Sequence, residues 1–167
     1  AFHIVPRHRR GGFDTWLGYE NNNSPWDSWV HGHDASGTEL PLERLDGYET
    51  DALTDRLLAW IRERAARPKA EARRPFFAVL SVQPPHNPCV APAEWMQRHT
   101  PGTLQLRANV PAVASVVDRA RRELAGYYAQ IENLDWNLGR LCATLRETGL
   151  WERTHVLFFS DHGDLMG

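Results

Sequence analysis

The sequence predicts an α/β sandwich in which a mainly parallel sheet is flanked by helices. Three observations predict it. The run Phe76-Phe77-Ala78-Val79-Leu80-Ser81-Val82 is apolar on both alternating faces, as suits a central parallel strand covered by helices on both sides. A second such run, His155-Val156-Leu157-Phe158-Phe159, stands near the end of the chain. Between them lies a long segment whose apolar residues recur at three- and four-residue steps, the period of an amphipathic helix. Strand, helix and strand at these lengths make a parallel pair with a helical crossover, which should be right-handed.

Taken in order, residues 1–47 are rich in Gly, Asn, Trp and His without a sustained period. Short strand-like pieces, Phe13 to Leu17 and Trp26 to Val30, sit among turn signals such as Gly11-Gly12 and Asn23-Ser24-Pro25. A first helix is predicted from about Thr50 to Ala66, with Leu53, Leu57, Leu58 and Ile61 on one face. Thr50 or Asp51 can cap its start and Pro68 closes it. A basic connector, Arg67 to Arg74, leads into the first apolar run. A buried helix competes with a strand there, and the short length between Pro75 and Pro84-Pro85 favours the strand.

The long helix should run from about Asp118 to Thr148, with Leu124, Tyr127, Tyr128, Ile131, Leu134, Leu138, Leu141, Cys142 and Leu145 forming its apolar stripe. Gly126 and Gly139 each cost about 1 kcal/mol relative to Ala in a helix, so close packing against a neighbour is expected at both. Gly149 is a natural stop.

Composition narrows the function classes. An apolar fraction of 42% with seven Trp in 167 residues indicates a folded protein. No run of about 18 apolar residues occurs, so no membrane span is expected. A net charge of -2 gives no electrostatic reason to expect nucleic acid or anionic lipid. Lys69 is the only lysine, a bias read as coding preference. Cys89 and Cys142 make no disulfide framework, and Cys142, on an apolar helical face, reads as a buried thiol. The chain opens Ala1-Phe2-His3 without Met and stops just past a polar turn. It therefore reads as an excerpt, with residues 1–167 an internal part of one catalytic domain and the compartment unknown.

In open α/β sheets ligands bind beyond the carboxyl ends of parallel strands. The first apolar run exits into Gln83-Pro84-Pro85-His86-Asn87-Pro88 and the second into Ser160-Asp161-His162-Gly163-Asp164. In one sheet, His86 and the Asp161-His162 pair would share a rim. An Asp supplies a hard oxygen and a His a neutral nitrogen, a reasonable pair for a divalent cation, and Gly163 lets the backbone turn away. The competing reading is a turn in which Asp161 caps the next segment. His86, stiffened by flanking prolines, could bind an anionic oxygen or a leaving group, and the plain alternative is a loop histidine.

Other motifs lead elsewhere. His31-Gly32-His33-Asp34 begins like an HxHxD zinc motif, but Ala35, Ser36 and Gly37 break the pattern, so a surface loop is expected. Asn22-Asn23-Ser24 fits a glycosylation sequon formally. The Trp- and His-rich stretch 16–33 could be a substrate-facing wall, or its Trp could build a satellite core.

Leu124 to Asp135 through Gly139-Arg140-Leu141, then Phe158-Phe159-Ser160-Asp161-His162-Gly163-Asp164-Leu165-Met166-Gly167, resembles the sulfatase family. So do Pro84-Pro85-His86-Asn87-Pro88 followed by Ala91-Pro92-Ala93-Glu94-Trp95, and Arg9-Arg10-Gly11-Gly12-Phe13-Asp14-Thr15-Trp16-Leu17-Gly18, which is similar to the segment following that family's GKWHLG-type motif. The resemblance implies an alkaline-phosphatase-like sandwich and hydrolysis of a sulfate monoester, carried by a small molecule or a carbohydrate. It implies Asp161 and His162 as ligands of a divalent cation, usually Ca2+, and His86 as the residue that contacts the ester or assists the leaving group. The formylglycine nucleophile of the family arises in a CxPSR-type motif, and an Asp pair completes the metal site. Neither is found in this sequence, and neither Cys89 nor Cys142 stands in such a motif. Because calcium takes about six to eight ligands and no nucleophile is at hand, the chain alone should be inactive although its parent should not be. A phosphonate or phosphate ester hydrolase of the same superfamily is the first alternative, and a non-catalytic binder of sulfated ligands the second.

Overall fold

The structure, a computed structural model, describes residues 3–20, 24–68 and 74–164. The Asn22-Asn23-Ser24 sequon, Lys69 with most of the basic connector, and Leu165-Met166-Gly167 fall partly or wholly outside the described residues. The chain divides into two compact units, Ala1–Leu53 and Thr54–Gly167.

The first unit is built on an antiparallel sheet of β1 (Trp16–Gly18), β2 (Trp29–His33) and β3 (Glu39–Arg44), in that spatial order. Both expected strand pieces exist, displaced by a few residues toward the C-terminus. Leu17 faces Gly32 across the β1–β2 pair, and the β2–β3 register shifts between Val30 and Gly32. A side chain at Gly32 would put its Cβ 1.9 Å from the Trp16 carbonyl oxygen, so only glycine fits. Asp34 ties the β2–β3 turn, its Oδ1 accepting from the backbone N–H groups of Ser36 and Thr38, and Gly37 takes a φ of 88°. Val30, Leu45, Tyr48, Ala52 and Leu53 are buried. The buried Glu49 carboxylate accepts from Tyr19 Oη at 2.5 Å and Ser28 Oγ at 2.5 Å. Burial, with Glu49 beside it, raises the Tyr19 hydroxyl far above its ordinary range.

In the second unit, α1 (Glu49–Ala66) continues from the first, and α2 (Ala93–Met96) precedes the long α3 (Ala114–Glu147). The two long helices match their predicted extents to within a few residues. Helix α3 ends in a Schellman turn. Leu150 N–H bonds the Leu145 carbonyl, Gly149 N–H bonds that of Arg146, and Gly149 has a φ of 69°. The accompanying apolar contact is present, since Leu145, Leu150 and Ile61 form one buried cluster, joined by the half-buried Phe76 and Val156.

Three expectations for this unit need correction. The buried face of α3 carries Ala120, Ala125, Gly126, Ala129, Gln130, Asn133, Asn137, Thr144 and Leu145, while Tyr128 and Ile131 are exposed and Cys142 is half-buried. Small and polar residues line part of this face because loop backbone packs against Gly126 and Gln130, while Ala129 meets Trp95 and Leu145 meets Ile61. Gly139 has open space around it, so close packing does not account for it. Finally, the expected parallel pair is not formed. Residues 76–82 and 155–159 form no strand and belong to no ladder among the described residues, whose sheet is antiparallel. Phe76 and Val156 reach the same cluster, so each run is anchored to it by one residue. Phe77, Leu157 and Phe159 are 77%, 86% and 82% exposed. A doubly apolar strand needs neighbours on both faces and edges to complete a parallel sheet, and most of these side chains, Phe158 and Val79 among them, are exposed. No helix among the described residues is long and apolar enough to cross a membrane.

Candidate functional site

His86 sits in a loop that the long helix shapes through one buried side chain. Gln130 of α3 is almost fully buried. Its Oε1 accepts from His86 N–H at 3.1 Å, and its Nε2 faces the carbonyls of His86, Pro88 and Val90 at 3.0, 3.1 and 3.2 Å. The amide orientation follows from the chemistry, because a flipped amide would set an oxygen against three carbonyl oxygens. One turn earlier, a Cβ on Gly126 would lie 1.8 Å from the Cys89 carbonyl oxygen. Loop backbone therefore lies directly on helix backbone, as a residue without a side chain allows. The peptide bonds preceding Pro85 and Pro88 are cis.

The His86 ring is exposed, with Nδ1 2.6 Å from the Asn87 carbonyl oxygen. A carbonyl only accepts, so Nδ1 carries the hydrogen and donates it. Nε2 is left pointing outward, able to accept or, when protonated, to donate.

Ser160, Asp161 and His162 form a tight exposed turn. His162 N–H donates to Asp161 Oδ1 at 2.9 Å, and Ser160 Oγ donates to the His162 carbonyl. His162 Nδ1 lies 3.2 Å from the Gly163 carbonyl oxygen, which again puts the ring hydrogen on Nδ1. Asp161 Oδ2 and His162 Nε2 are 3.9 Å apart. A cation bound at about 2.3–2.6 Å from each could bridge that separation, and the neutral nitrogen and hard oxygen are a suitable donor pair. Among the described residues no group of three or more His, Cys, Asp or Glu side chains could hold a metal ion. The pair therefore fits part of a cation site.

Cys89 connects the two loops electrostatically. Its thiol donates to Asn87 Oδ1 at 3.1 Å. Burial, then the charges of Glu123 and Asp164, push it up to about 11. A thiol held in the protonated form is a poor nucleophile.

In the first unit, the expected surface loop at His31-Gly32-His33 is in fact strand β2, and both imidazoles are buried. They surround Arg10, itself buried. Arg10 Nη1 donates to His33 Nδ1 at 3.0 Å and to Glu39 Oε1 at 2.9 Å, while Nε donates to the Val5 carbonyl at 2.9 Å. His33 Nε2 then donates to the Phe13 carbonyl at 2.9 Å, and His31 Nε2 accepts from Val5 N–H at 3.0 Å. The Trp16 ring lies 5.2 Å from that of His31, with the Arg10 guanidinium over it at 5.2 Å. These contacts are internal to the sheet unit and centre on Arg10 and the two histidines, while Trp16 and Trp29 are half-buried and Trp26 is exposed. Sequence reasoning missed Gln130 and Arg10. The available signal for Gln130 was a polar residue one turn after a helical glycine.

Comparison with known proteins identifies the class to which this geometry belongs. The sulfatase family model matches residues 3–167, and the chain belongs to the sulfatase family. An ulvan-active sulfatase of Formosa agariphila is 31% identical over 98% of this chain and 30% of its own length. An endo-4-O-sulfatase of Bacteroides thetaiotaomicron is 27% identical over 97% of this chain and 31% of its own length. The crystal structure of yidJ from Bacteroides fragilis superposes with a TM-score of 0.74 at 22% identity, covering 90% of this chain and 32% of that one. That likeness establishes the alkaline-phosphatase-like fold for this segment. The chain spans about 30% of the length of these relatives.

Proposed function

We propose that this chain supplies two elements of the active site of a metal-dependent sulfuric ester hydrolase, acting on a small-molecule or carbohydrate sulfate ester. The observation that carries the reading is the shared arrangement of His86 and of Asp161-His162. In each loop the backbone N–H and Nδ1 hydrogen bonds are satisfied, while the His86, Asp161 and His162 side chains are exposed. That leaves three atoms that could take a ligand.

Asp161 Oδ2 and His162 Nε2 would hold a divalent cation, Ca2+ being the expected ion, together with ligands from elsewhere in the full-length protein. When bound, such a cation offsets negative charge on the non-bridging oxygens of the ester. The bond from Nδ1 to Asn87 fixes the His86 ring so that Nε2 can carry a proton to the departing oxygen. A formylglycine nucleophile would lie outside these residues. The two apolar runs would be central strands of a mainly parallel sheet in the full-length protein.

Titrating the full-length protein with Ca2+ tests the ligand assignment. Asp161→Ala and His162→Ala should each weaken Ca2+ affinity at least about tenfold, and unchanged affinity would refute the assignment. The 167-residue chain alone should not turn over 4-nitrophenyl sulfate, so hydrolysis above background would overturn the claim that the nucleophile lies outside it.

A further inference from the structure

We infer that Gln130 is a positioning residue for His86, fixing through the loop backbone where the His86 imidazole presents Nε2. The inference rests on the catalytic reading of His86 given above and adds a residue to it. Gln130 touches no outward-facing donor atom. It acts on the main chain at His86 and at two residues after it, taking the N–H of His86 and facing the carbonyls of His86, Pro88 and Val90.

Several observations distinguish this from ordinary core packing. A buried amide that engages four backbone groups of one loop favours the loop conformation that presents all four to it. Gly126 and Gln130 stand one turn apart on the same helical face, and the first admits the loop backbone that the second binds. The His86 ring has its one recorded hydrogen bond, from Nδ1, to the Asn87 carbonyl of the same loop. Ring orientation thus depends on loop backbone, and loop backbone depends on Gln130. A helix is also a firmer platform than the loop itself, so the coupling gives an exposed imidazole a defined position.

The test is a double-mutant cycle in the full-length protein, using Gln130→Met, His86→Ala and both together. Met keeps the length and volume of Gln while removing all four polar contacts. Hydrolysis of 4-nitrophenyl sulfate is followed alongside hydrogen exchange at the His86 amide. With Gln130→Met, exchange at that amide should accelerate, and kcat should fall between about 10- and 100-fold with KM little changed, as expected for a misplaced catalytic group. In the His86→Ala background the same substitution should cost almost nothing, because the group being positioned is gone. Gln130→Asn, one methylene shorter, should not restore kcat, whereas a general loss of folding would appear as lower urea resistance.

An equal loss of kcat in both backgrounds would overturn the inference in favour of a merely structural role. So would unchanged kcat in Gln130→Met despite faster exchange at His86. If His86→Ala leaves turnover intact, the catalytic reading of His86 fails and the positioning role falls with it. Exchange at the His86 amide would then report separately whether the clamp exists.

Discussion

A methyl group added at Gly126 would overlap the Cys89 carbonyl oxygen, while one added at Gly139 would meet nothing within 4 Å. Two glycines in one helix therefore carry opposite predictions. Gly139→Ala removes a helix penalty without a clash and should stabilise the protein by about 0.5–1 kcal/mol. Gly126→Ala gains the same propensity but must push the His86 loop off the helix, and should destabilise by about 1–3 kcal/mol. Urea unfolding at unchanged m-value measures both, and equal effects at the two sites would refute the argument. Single residues were unevenly legible in the sequence. His86, Asp161 and His162 could be chosen because proline spacing and a strand-end Asp-His pair are local signals. Gln130 could not, since a glutamine in a helix says nothing about which distant carbonyls it will meet. His31 and His33 were misread for the same reason: their burial depends on Arg10, Val5 and Phe13, all distant in sequence.

At the level of elements, β2 is the strand with a titratable weak point. His31 accepts a hydrogen bond from Val5 N–H at Nε2, so it must be neutral there, and its Nδ1 faces Arg10 Nη2 at 3.5 Å. Burial first and Arg10 second hold its proton affinity below that of an ordinary histidine, with Glu39 opposing them. A depressed value in the folded state means that the unfolded chain binds the proton more readily. Stability from this group is therefore present above the ordinary histidine value of about 6.5 and is lost as pH falls through the lower folded value. His33, Arg10 and Glu39 surround the same site, so the comparison must be with a variant lacking only the imidazole. Urea midpoints, followed by Trp fluorescence, should drop as pH falls below about 6.5, and His31→Gln should flatten that drop. An equal slope in the variant would assign the effect to another group. Helix extents were readable because periodicity and stop signals are local, Gly149 above all. Its φ of 69° favours glycine, so Gly149→Ala should cost about 1 kcal/mol in the same unfolding experiment.

For the molecule as a whole, the two apolar runs decide how it should behave in solution. Their apolarity on both faces was legible in seven or fewer consecutive residues. The strands read from it are not formed among the described residues, since a parallel ladder depends on which segments come to lie beside them. As folded here, Phe76 and Val156 pack into the cluster of Ile61, Leu145 and Leu150, whereas Phe77, Leu157 and Phe159 face outward. Apolar, unladdered segments favour self-association, through the hydrophobic surface and through backbone groups outside any ladder. The 167-residue chain should consequently sediment as a concentration-dependent mixture of species. A triple variant, Phe77→Ser with Leu157→Ser and Phe159→Ser, should shift that mixture toward the monomer. Because the three side chains are largely exposed, little folded-state packing is removed, and each site should change stability by no more than about 0.5 kcal/mol. Sedimentation velocity and urea unfolding together separate the possibilities. A variant that associates as before would show that other surfaces drive association. One that unfolds far more easily would show that the outward side of these runs is packed in solution.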